Sequence, residues 1–306
     1  MRLFTFLYRT PFINILVFGL GFLLIIMHIF KNKTKHVESF TQEEKYVIKS
    51  NKDLYDDFYV DVYEYVVFDP NKTYYEISEI DKIVKFKKGH SVLDVGSGLG
   101  YHVDALTDRG IDVIGLENSK AMINKSKKNF PKIDVRYGNV MDSMIFEGND
   151  FTHILCMFYT FYYIPDQEAF LRNAYKWLRH NGYLIIHVVD REKFHPIVPP
   201  SEIFTIPTQY LAKKGTRITN SYVKFEGFDY KANFIEKFNK NKAEFIEEFT
   251  NDDTKNTRKN VHKLNMMSLE EYKKLFKKCR FSEKAVIDLS PVKYEYQYIY
   301  ILQKTD

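Results

Sequence analysis

The sequence predicts an α/β fold built around a doubly wound, mostly parallel β-sheet. From His90 onward, short apolar runs rich in β-branched residues alternate with stretches of helical pattern. The connections between them are short, and strands that alternate with helices in this way form parallel sheets covered by helices on both faces. The chain has 306 residues, of which 45% are apolar, so a sizeable core can form. We assign residues 75–306 to this main domain.

The predicted elements follow one another in sequence order. A helix starts at Asp166, after Pro165, because acidic residues suit the positive end of the helix dipole. Asn181 and Gly182 supply a left-handed cap after it. The predicted strands are Ser91–Val95, Asp112–Leu116, Ile133–Tyr137, Thr152–Phe158 and Tyr183–Val189, and the helices between them are Tyr101–Arg109, Ser119–Phe130 and Asp166–Arg179.

After Asp190 the pattern changes. A cluster of prolines marks a break, and Tyr222–Phe249 then places many aromatic residues among polar ones. We interpret this stretch as antiparallel strands in an insertion at about residues 200–262. A helix at Ser268–Cys279 and strands at Lys284–Leu289 and Glu295–Leu302 then complete the sheet.

The first 35 residues contain a predicted membrane anchor. From Phe12 to Phe30 only Asn14 and His28 are clearly polar, and basic residues flank the run on both sides. A helix of about 19 residues spans about 28 Å, close to the hydrocarbon thickness of a bilayer. A cleaved signal peptide would have a shorter apolar run, followed by small residues. The sequence therefore predicts one transmembrane helix, over residues 12–30.

Residues 36–74 are predicted to be a linker followed by a helical lid. The linker runs through Asn51 and is polar and charged. Leu54–Phe68 is rich in tyrosine and acids and is predicted to be helical. This helix either folds over a bound ligand or forms plain aromatic core; the candidate ligand-facing residues are Asp57, Tyr59 and Tyr63.

Composition and charge disfavour several classes of function. The net charge is +5 and lysines are mixed with acids, so nucleic acid is not indicated as a partner. Cys156 and Cys279 are the only cysteines, which is too few for a disulfide framework or a cysteine metal site. No metal site is predicted, and a reducing compartment fits best.

The stretch SVLDVGSGLGYHV, from Ser91 to Val103, indicates a ligand site at the end of the first strand of the alternating region. Open parallel sheets bind ligands beyond the carboxyl ends of their strands. The three alternating glycines let the backbone turn tightly and approach a ligand closely. Glu117 ends the next strand, where a carboxylate can accept hydrogen bonds from a ribose diol.

Two ligand classes share this arrangement. A dinucleotide site uses G-x-G-x-x-G and holds pyrophosphate at a helix N-terminus. Here the third glycine, Gly100, comes one residue early and Tyr101 takes its place. Asp94 precedes the turn, and its negative charge would repel pyrophosphate but suits an ammonium group. S-adenosylmethionine carries an ammonium, a sulfonium and a ribose without phosphate, so the charges favour it over a nicotinamide cofactor and disfavour a dehydrogenase.

The segment VLDVGSGLG resembles the first motif of class I S-adenosylmethionine-dependent methyltransferases, and VIGLENS resembles their second-strand motif. VRYGNVMD resembles the segment that frames the adenine, although Asn139 stands where the family usually has aspartate. The resemblance covers about Tyr75 to Val189 and resumes at Met267. It implies a Rossmann-like sheet of seven strands, the last of them antiparallel.

The resemblance also implies a set of cofactor-binding residues. The glycine loop would line the methionine moiety, and Asp94 would anchor either the loop or the ammonium. Glu117 would hold the ribose, and Met122 would cover the adenine or simply pack within its helix. The predicted set is Asp94, Gly96, Ser97, Gly98, Gly100, Glu117, Asn118, Met122, Asn139 and Val140.

The reaction implied is an in-line displacement at the methyl carbon, which depends mainly on alignment of donor and acceptor. A base is needed only if the nucleophile must lose a proton. No catalytic residue is assigned. Tyr159 and Tyr162 can simply wall the pocket, and His187 fits a core histidine. Arg258 and His262 either meet a substrate anion or, the favoured interpretation, lie in a solvated turn. The candidate bases are Tyr159, His187, Asp190 and His195.

The sequence thus predicts S-adenosylmethionine-dependent methyl transfer to a small-molecule or lipid-like acceptor at a membrane. The alternatives are an RNA or protein methyltransferase and a catalytically silent cofactor-binding scaffold. Because the cofactor is cytosolic, we expect the domain to face the cytosol. In a secretory lumen the sequons at Asn32, Asn71 and Asn124 would be open to glycosylation.

Overall fold

The computed structural model describes Gly21 and residues 44–66, 69–197, 217–225 and 227–305. The chain divides into two units, Met1–Ser39 and Phe40–Asp306, and the architecture below is that of the second. Apart from Gly21, the predicted membrane span at residues 12–30 lies outside the described residues. Among the helices that the structure does describe, none is both long and apolar enough to cross a bilayer.

Twelve strands and seven α-helices make up residues 44–305 as described. The strands are β1 (Tyr46–Ser50), β2 (Ser91–Val95), β3 (Asp112–Glu117), β4 (Asp134–Tyr137), β5 (Phe151–Cys156), β6 (Leu178–Val189), β7 (Asn220–Phe225), β8 (Phe228–Lys237), β9 (Lys242–Asn251), β10 (Thr257–Asn265), β11 (Phe281–Asp288) and β12 (Gln297–Lys304). The helices are α1 (Asp57–Val66), α2 (Pro70–Val84), α3 (Tyr101–Thr107), α4 (Lys120–Asn129), α5 (Thr160–Tyr163), α6 (Gln167–Trp177) and α7 (Leu269–Lys278).

The main sheet has seven strands in the order β4-β3-β2-β5-β6-β12-β11. Only β12 runs antiparallel to its neighbours. The strands are β-branched apolar runs whose central residues are fully buried, such as Leu93, Ile154 and Ile185, as expected where helices cover both faces. The prediction of a doubly wound, mostly parallel sheet is therefore confirmed. Strand order reverses between β2 and β5, which places a ligand crevice at their carboxyl ends.

A second sheet of five strands, which we call the cover sheet, has the order β1-β10-β9-β8-β7. Its strands β7 to β10 are antiparallel, as predicted for the insertion, but β1 pairs in parallel with β10. Two predictions were wrong here. Tyr46–Ser50 was predicted to be linker, and the stretch that contains Arg258 and His262 was predicted to be a solvated turn.

The helices that precede the main sheet differ from the predicted lid. Helix α1 begins at Asp57 rather than Leu54, and α2 was not predicted. Helix α2 has strong start signals: Pro70 is its first residue, and the carboxylate of Asp69 accepts the Asn71 N–H at 2.9 Å. The helix stays in place because its apolar side is buried against the main sheet.

The predicted left-handed cap after α6 is only partly correct. Helix α6 ends at Trp177, and Asn181 does have a positive φ of 60°. Gly182 is not left-handed. A Cβ at this position would lie 2.9 Å from the carbonyl oxygen of Arg179 and 3.0 Å from that of Thr152. The glycine therefore serves close backbone approach, and β6 begins earlier than predicted, at Leu178.

Candidate active site

A cavity of about 980 Å³ lies at the carboxyl ends of β2, β3 and β5, between the main sheet and the cover sheet. It is lined by the glycine loop after β2, by the ends of β3 and β4, by α5, and by the inner face of the cover sheet. All of the predicted cofactor-binding residues line it except Gly100. Segments that are distant in the sequence thus converge on one site, where the topology predicted it.

The three glycines of the loop have different roles. A Cβ at Gly96 would lie 2.5 Å from the Thr160 side chain, and one at Gly100 would lie 2.6 Å from Ile133. These two positions therefore serve packing within the protein. Gly98 has a φ of 53°, and the nearest atom to a Cβ there would be 3.9 Å away. Its open side faces the cavity, so Gly98 is the glycine that lets a ligand approach the backbone.

Glu117 fixes the glycine loop from the end of β3. Its Oε2 accepts the Gly98 N–H at 2.9 Å, and its Oε1 accepts the N–H groups of Asn118 and Ser119, both at 2.8 Å. Burial raises the pKa of this carboxyl, although the three N–H donors act against that rise. A carboxylate offers about four acceptor positions. About one therefore remains for a ligand hydroxyl, where the sequence predicted two bonds to a ribose diol.

Asp94 carries the clearest sign of a ligand-binding role. The residue is 2% exposed, and its Oδ2 has no hydrogen-bond partner among the described residues. Burial raises the pKa of this carboxyl to about 6, although nearby His102 acts in the opposite direction. The buried hydroxyl of Ser97 likewise lacks a partner in the described part of the chain. Since buried polar atoms are rarely left unpaired, both atoms fit a polar ligand in the cavity.

A charged cluster beside Asp94 was not predicted from the sequence. Lys72 forms a buried ion pair with Glu76, and His102 Nε2 lies 3.0 Å from the other oxygen of Glu76. The Lys72 ammonium also lies over the rings of Phe158 and Tyr294, at 4.8 and 5.3 Å from their centroids. Lys72, Glu76 and His102 all line the cavity.

The protonation of this cluster follows from its contacts. Burial alone would raise the pKa of Glu76, but the charges and hydrogen bonds of Lys72 and His102 outweigh it and lower the pKa to about 2. Glu76 is therefore ionised at neutral pH. The cavity holds a buried cation and two carboxylates at the end that Asp94 occupies, a combination suited to a zwitterionic ligand group.

The residues predicted to frame the adenine also line the cavity. Met122 is 2% exposed and packs with Val60 and Leu99, which agrees with the predicted packing role. It also lines the cavity, and its contact with the adenine stays a prediction. The Asn139 side-chain oxygen accepts the Met141 N–H at 3.0 Å. That bond leaves the amide nitrogen of Asn139 to meet a ligand. Val140 also lines the cavity. Its carbonyl oxygen accepts a hydrogen bond from the side-chain amide of Asn173 at 2.9 Å.

Most of the candidate bases do not reach the cavity. His187 is fully buried between the carbonyl of Phe158 and the side chain of Gln297, and burial lowers its pKa to about 4. It is a core histidine, the alternative that the sequence left open. Asp190, His195 and Tyr162 do not line the cavity either, and the Tyr162 hydroxyl accepts the Val189 N–H. Tyr159 does line it.

The predicted lid and the segment before it contact both the glycine-loop side of the cavity and the cover sheet. Tyr59 and Tyr63 line the cavity, whereas Asp57 is exposed and does not. Ser119, at the start of α4, donates its hydroxyl to the carbonyl of Tyr55 at 2.8 Å. On the cover-sheet side, Arg258 is only 4% exposed and donates to both oxygens of Asp56 at 2.8 and 2.9 Å. The segment before α1 therefore bridges the glycine-loop side of the cavity and the cover sheet.

Comparison with known proteins shows what the central part of the main domain is similar to. Residues 93–186 match a family model described as a methyltransferase domain. A probable S-adenosylmethionine-dependent methyltransferase of Mycolicibacterium smegmatis is 27% identical over 108 residues, which are 35% of this chain and 41% of that protein. A ubiquinone biosynthesis O-methyltransferase of Psychrobacter arcticus is 28% identical over 144 residues, covering 45% and 53%. The chain thus spans about half the length of these relatives.

The fold also matches solved structures. S-adenosylmethionine-bound CalS10, an amino pentose methyltransferase from Micromonospora echinaspora, superposes with a TM-score of 0.55 at 17% identity, covering 77% of this chain and 91% of CalS10. At that identity the likeness shows the fold. The sequence matches confirm the predicted S-adenosylmethionine-dependent methyltransferase domain and its cofactor class over the matched residues, and the structural match confirms the fold.

Proposed function

We propose that this protein binds S-adenosylmethionine in the cavity beside Gly98 and transfers its methyl group to a small-molecule acceptor. The observation that carries the proposal is the buried, unpartnered carboxylate oxygen of Asp94 next to the open side of the glycine loop. An ammonium supplies the missing donor there, and a pyrophosphate does not. The bound cofactor supplies a methyl group on a positively charged sulfur, which is a good leaving group.

Each part of the proposed site has a chemical counterpart in that ligand. Asp94 would accept a bond from the ammonium, while Lys72 would face the carboxylate of the same amino-acid moiety. Glu117 would take one ribose hydroxyl at its remaining acceptor position. Asn139 and Met122 would meet the edge and the face of the adenine. These residues hold the reacting carbon in line with the acceptor, and such alignment contributes much of the rate enhancement in a displacement.

The dimensions of the cavity favour a small acceptor. Its volume of about 980 Å³ lies at the upper end of the range of about 300–1,000 Å³ for small-molecule sites, so it has room for donor and acceptor together. The cover sheet closes it with apolar side chains that include Phe225, Phe234 and Phe245. One relative is named a ubiquinone biosynthesis O-methyltransferase, and one matching structure is that of an amino pentose methyltransferase. Their small-molecule acceptors are the precedents for the acceptor proposed here. A lipid-like acceptor fits the same apolar wall.

Calorimetry tests the cofactor assignment directly. The full chain is expected to bind S-adenosylmethionine and its demethylated product and to show no heat with NAD. The protein is then incubated with methyl-labelled S-adenosylmethionine and cell extract, and transfer of label to extract components is measured. An enzyme transfers the label, whereas a catalytically silent scaffold binds the donor and transfers none. NAD binding without S-adenosylmethionine binding would refute the proposed function.

Binding of S-adenosylmethionine is expected to strengthen as the pH rises through about 6. The pKa of Asp94 is raised to about 6, so the carboxyl becomes protonated below that pH and loses its attraction for the ammonium. Affinity should fall by up to roughly tenfold per pH unit on the acidic side. Because His102 lies nearby, the informative quantity is the difference between the wild type and Asp94→Asn across pH 5–8. If the affinity for S-adenosylmethionine depended on pH equally in both proteins, the role of Asp94 would be contradicted.

We also propose that residues 12–30 anchor the protein in a bilayer, with the catalytic domain facing the cytosol. The proposal rests on the apolar run and its basic flanks. The full chain is expected to stay with membranes through alkaline carbonate washing, and release into the supernatant would contradict the anchor. For orientation, Asn71 and Asn124 are both exposed, so a lumenal domain would acquire glycans removable by endoglycosidase. We expect none.

A further inference from the structure

Three polar side chains form a hydrogen-bonded chain on the cover-sheet side of the cavity. The Tyr163 hydroxyl lies 2.6 Å from His262 Nδ1, and His262 Nε2 lies 2.7 Å from an oxygen of Glu247. His262 is 2% exposed and Glu247 is fully buried. The three residues come from α5, β10 and β9, and all of them line the cavity. Cofactor binding at the glycine loop does not use them.

The direction of the protons in this chain follows from its ends. An ionised carboxylate only accepts hydrogen bonds, so His262 Nε2 carries the proton that Glu247 receives. Nδ1 of a neutral ring then has a free lone pair, and the Tyr163 hydroxyl donates to it. Burial alone would raise the pKa of Glu247, but the bonds from His262, Tyr59 and Tyr230 outweigh it and lower the pKa. Glu247 therefore stays ionised, and one of its carboxylate oxygens lies 2.7 Å from His262 Nε2.

The chain ends close to the proposed cofactor. Tyr163 lies one turn after Thr160 on α5, and Thr160 packs against Gly96 of the glycine loop. Tyr55, whose carbonyl accepts the Ser119 hydroxyl beside Glu117, also contacts the Tyr163 ring with centroids 6.2 Å apart. Tyr163 therefore lines the cavity between the glycine loop and the cover sheet, within reach of a molecule bound beside the cofactor. Burial raises the pKa of this phenol, which keeps it protonated and suits it to relay a proton rather than to hold a negative charge.

We propose that Tyr163, His262 and Glu247 form a proton relay that deprotonates an acceptor hydroxyl, so that the protein makes methyl ethers. This inference rests on the proposed methyltransferase function and names its substrate class. Tyr163 is the catalytic residue that touches the acceptor. His262 is the final proton acceptor, and Glu247 positions and stabilises it.

Atoms and charge balance in this step. The acceptor oxygen forms a bond to the methyl carbon while the bond from that carbon to sulfur breaks, and the electron pair stays on sulfur. The acceptor proton passes to the Tyr163 oxygen as the Tyr163 proton passes to His262 Nδ1. The imidazolium stays paired with Glu247 and then returns its proton through the same path to water, after the methyl ether has left.

The presence of a relay distinguishes a hydroxyl acceptor from an amine. A neutral amine attacks with its own lone pair and can lose its proton to water afterwards. A neutral hydroxyl oxygen is a weak nucleophile and gains reactivity when a base removes its proton. A buried histidine–carboxylate pair that lines the cavity therefore serves a hydroxyl acceptor directly, whereas an amine that is already neutral does not need it.

The probe for the test is 4-nitrophenol, whose ionised form has its own absorption band. It is titrated into the full-length protein saturated with S-adenosylhomocysteine. The pH of the buffer is set slightly below the pKa of the free probe. In the wild type the ratio of phenolate to phenol should be roughly tenfold higher for bound than for free probe. His262→Gln and Tyr163→Phe should abolish that rise. 4-Nitroaniline, which lacks the acidic hydroxyl, should show no spectral change of this kind.

The control variant is Tyr222→Phe, which removes a phenol oxygen from the same cover sheet. Tyr222 is 57% exposed, bonds to Asp229 and does not line the cavity, so this variant should ionise the probe as the wild type does. Calorimetry with S-adenosylhomocysteine separates the two proposals: no binding overturns the methyltransferase function itself. Normal binding with no ionised probe, or with equal ionisation in His262→Gln, overturns the relay and leaves the cluster a structural link between α5 and the cover sheet.

Discussion

Arginine at position 98 is expected to abolish S-adenosylmethionine binding while the protein remains folded. Gly98 faces the cavity, and the nearest protein atom to a Cβ there would be 3.9 Å away, so the long side chain extends into the volume assigned to the ligand. Its positive charge would also lie close to the sulfonium and ammonium groups. We expect calorimetry to show a loss of affinity of roughly a hundredfold or more, equivalent to about 2.8 kcal/mol.

The matched control is Gly89→Arg. Gly89 also has a positive φ, of 91°, a Cβ added there would have no atom within 4 Å, and the residue does not line the cavity. Both variants therefore carry a similar backbone penalty of about 1–2 kcal/mol for a side chain in the left-handed region. Only the variant at position 98 should lose the cofactor. Wild-type affinity in a folded Gly98→Arg protein would mean that the ligand binds elsewhere.

Replacing Glu76 by alanine is expected to lower the free energy of unfolding by about 3–5 kcal/mol, the usual cost of removing one partner of a buried ion pair. The change leaves the Lys72 ammonium, whose side chain is only 7% exposed, without its carboxylate, and it removes the partner of His102. Urea denaturation measures the loss. Glu76→Gln, which keeps the shape but not the charge, should retain the fold if the alanine variant does not.

Glu79→Ala on the same helix is the control. Glu79 pairs with Lys82, whose side chain is 65% exposed, so the loss should stay below about 1 kcal/mol. The contribution of Glu76 also depends on pH. Its pKa is lowered to about 2 in the folded protein, so the stabilisation is complete above the unfolded value of about 4.3 and is lost as the pH falls through about 2. Equal losses in the two variants at neutral pH would show that the pair at Glu76 is not a buried one.

The sequence predicted the main sheet and the glycine loop because both carry local signals. Strands such as Ser91–Val95 must be apolar on both faces when helices cover the sheet. The turn after such a strand must be short and glycine-rich if a ligand is to approach it. Asp94, Gly98 and Glu117 were found for this reason. Gly100 does not line the cavity, and sequence alone could not show this, because a glycine that makes room for a neighbouring side chain gives the same pattern as one that makes room for a ligand.

The cover sheet was harder to predict because its inward face is partly polar. Along β10, Arg258, Asn260, His262 and Leu264 are buried while the residues between them are more exposed. The alternation of a strand is present, but polar side chains occupy three of these four buried positions, so a hydrophobic pattern does not reveal it. Partners from distant segments, such as Asp56 and Glu247, make this burial possible. A single sequence does not show those partners.

The pair of Lys72 and Glu76 was missed for a related reason. Opposite charges four residues apart are ordinary on a solvated helix face, and the amino-acid sequence does not show that this face is buried. The one available signal was position: at helical spacing the pair lies on the same face of α2 as the apolar residues Ile77 and Ile80, which face the core.

The parallel pairing of β1 with β10 has a consequence for biosynthesis. Tyr46 pairs with Thr257, so β1 leaves the ribosome long before its partner, by a delay on the order of ten seconds or more at typical rates of translation. During that interval β1 presents an unpaired edge, which is open to wrong pairing with other chains. The five-stranded wall is completed only after Thr257–Asn265 has been translated, so a chain terminated before Thr257 would carry the glycine loop beside an open cleft.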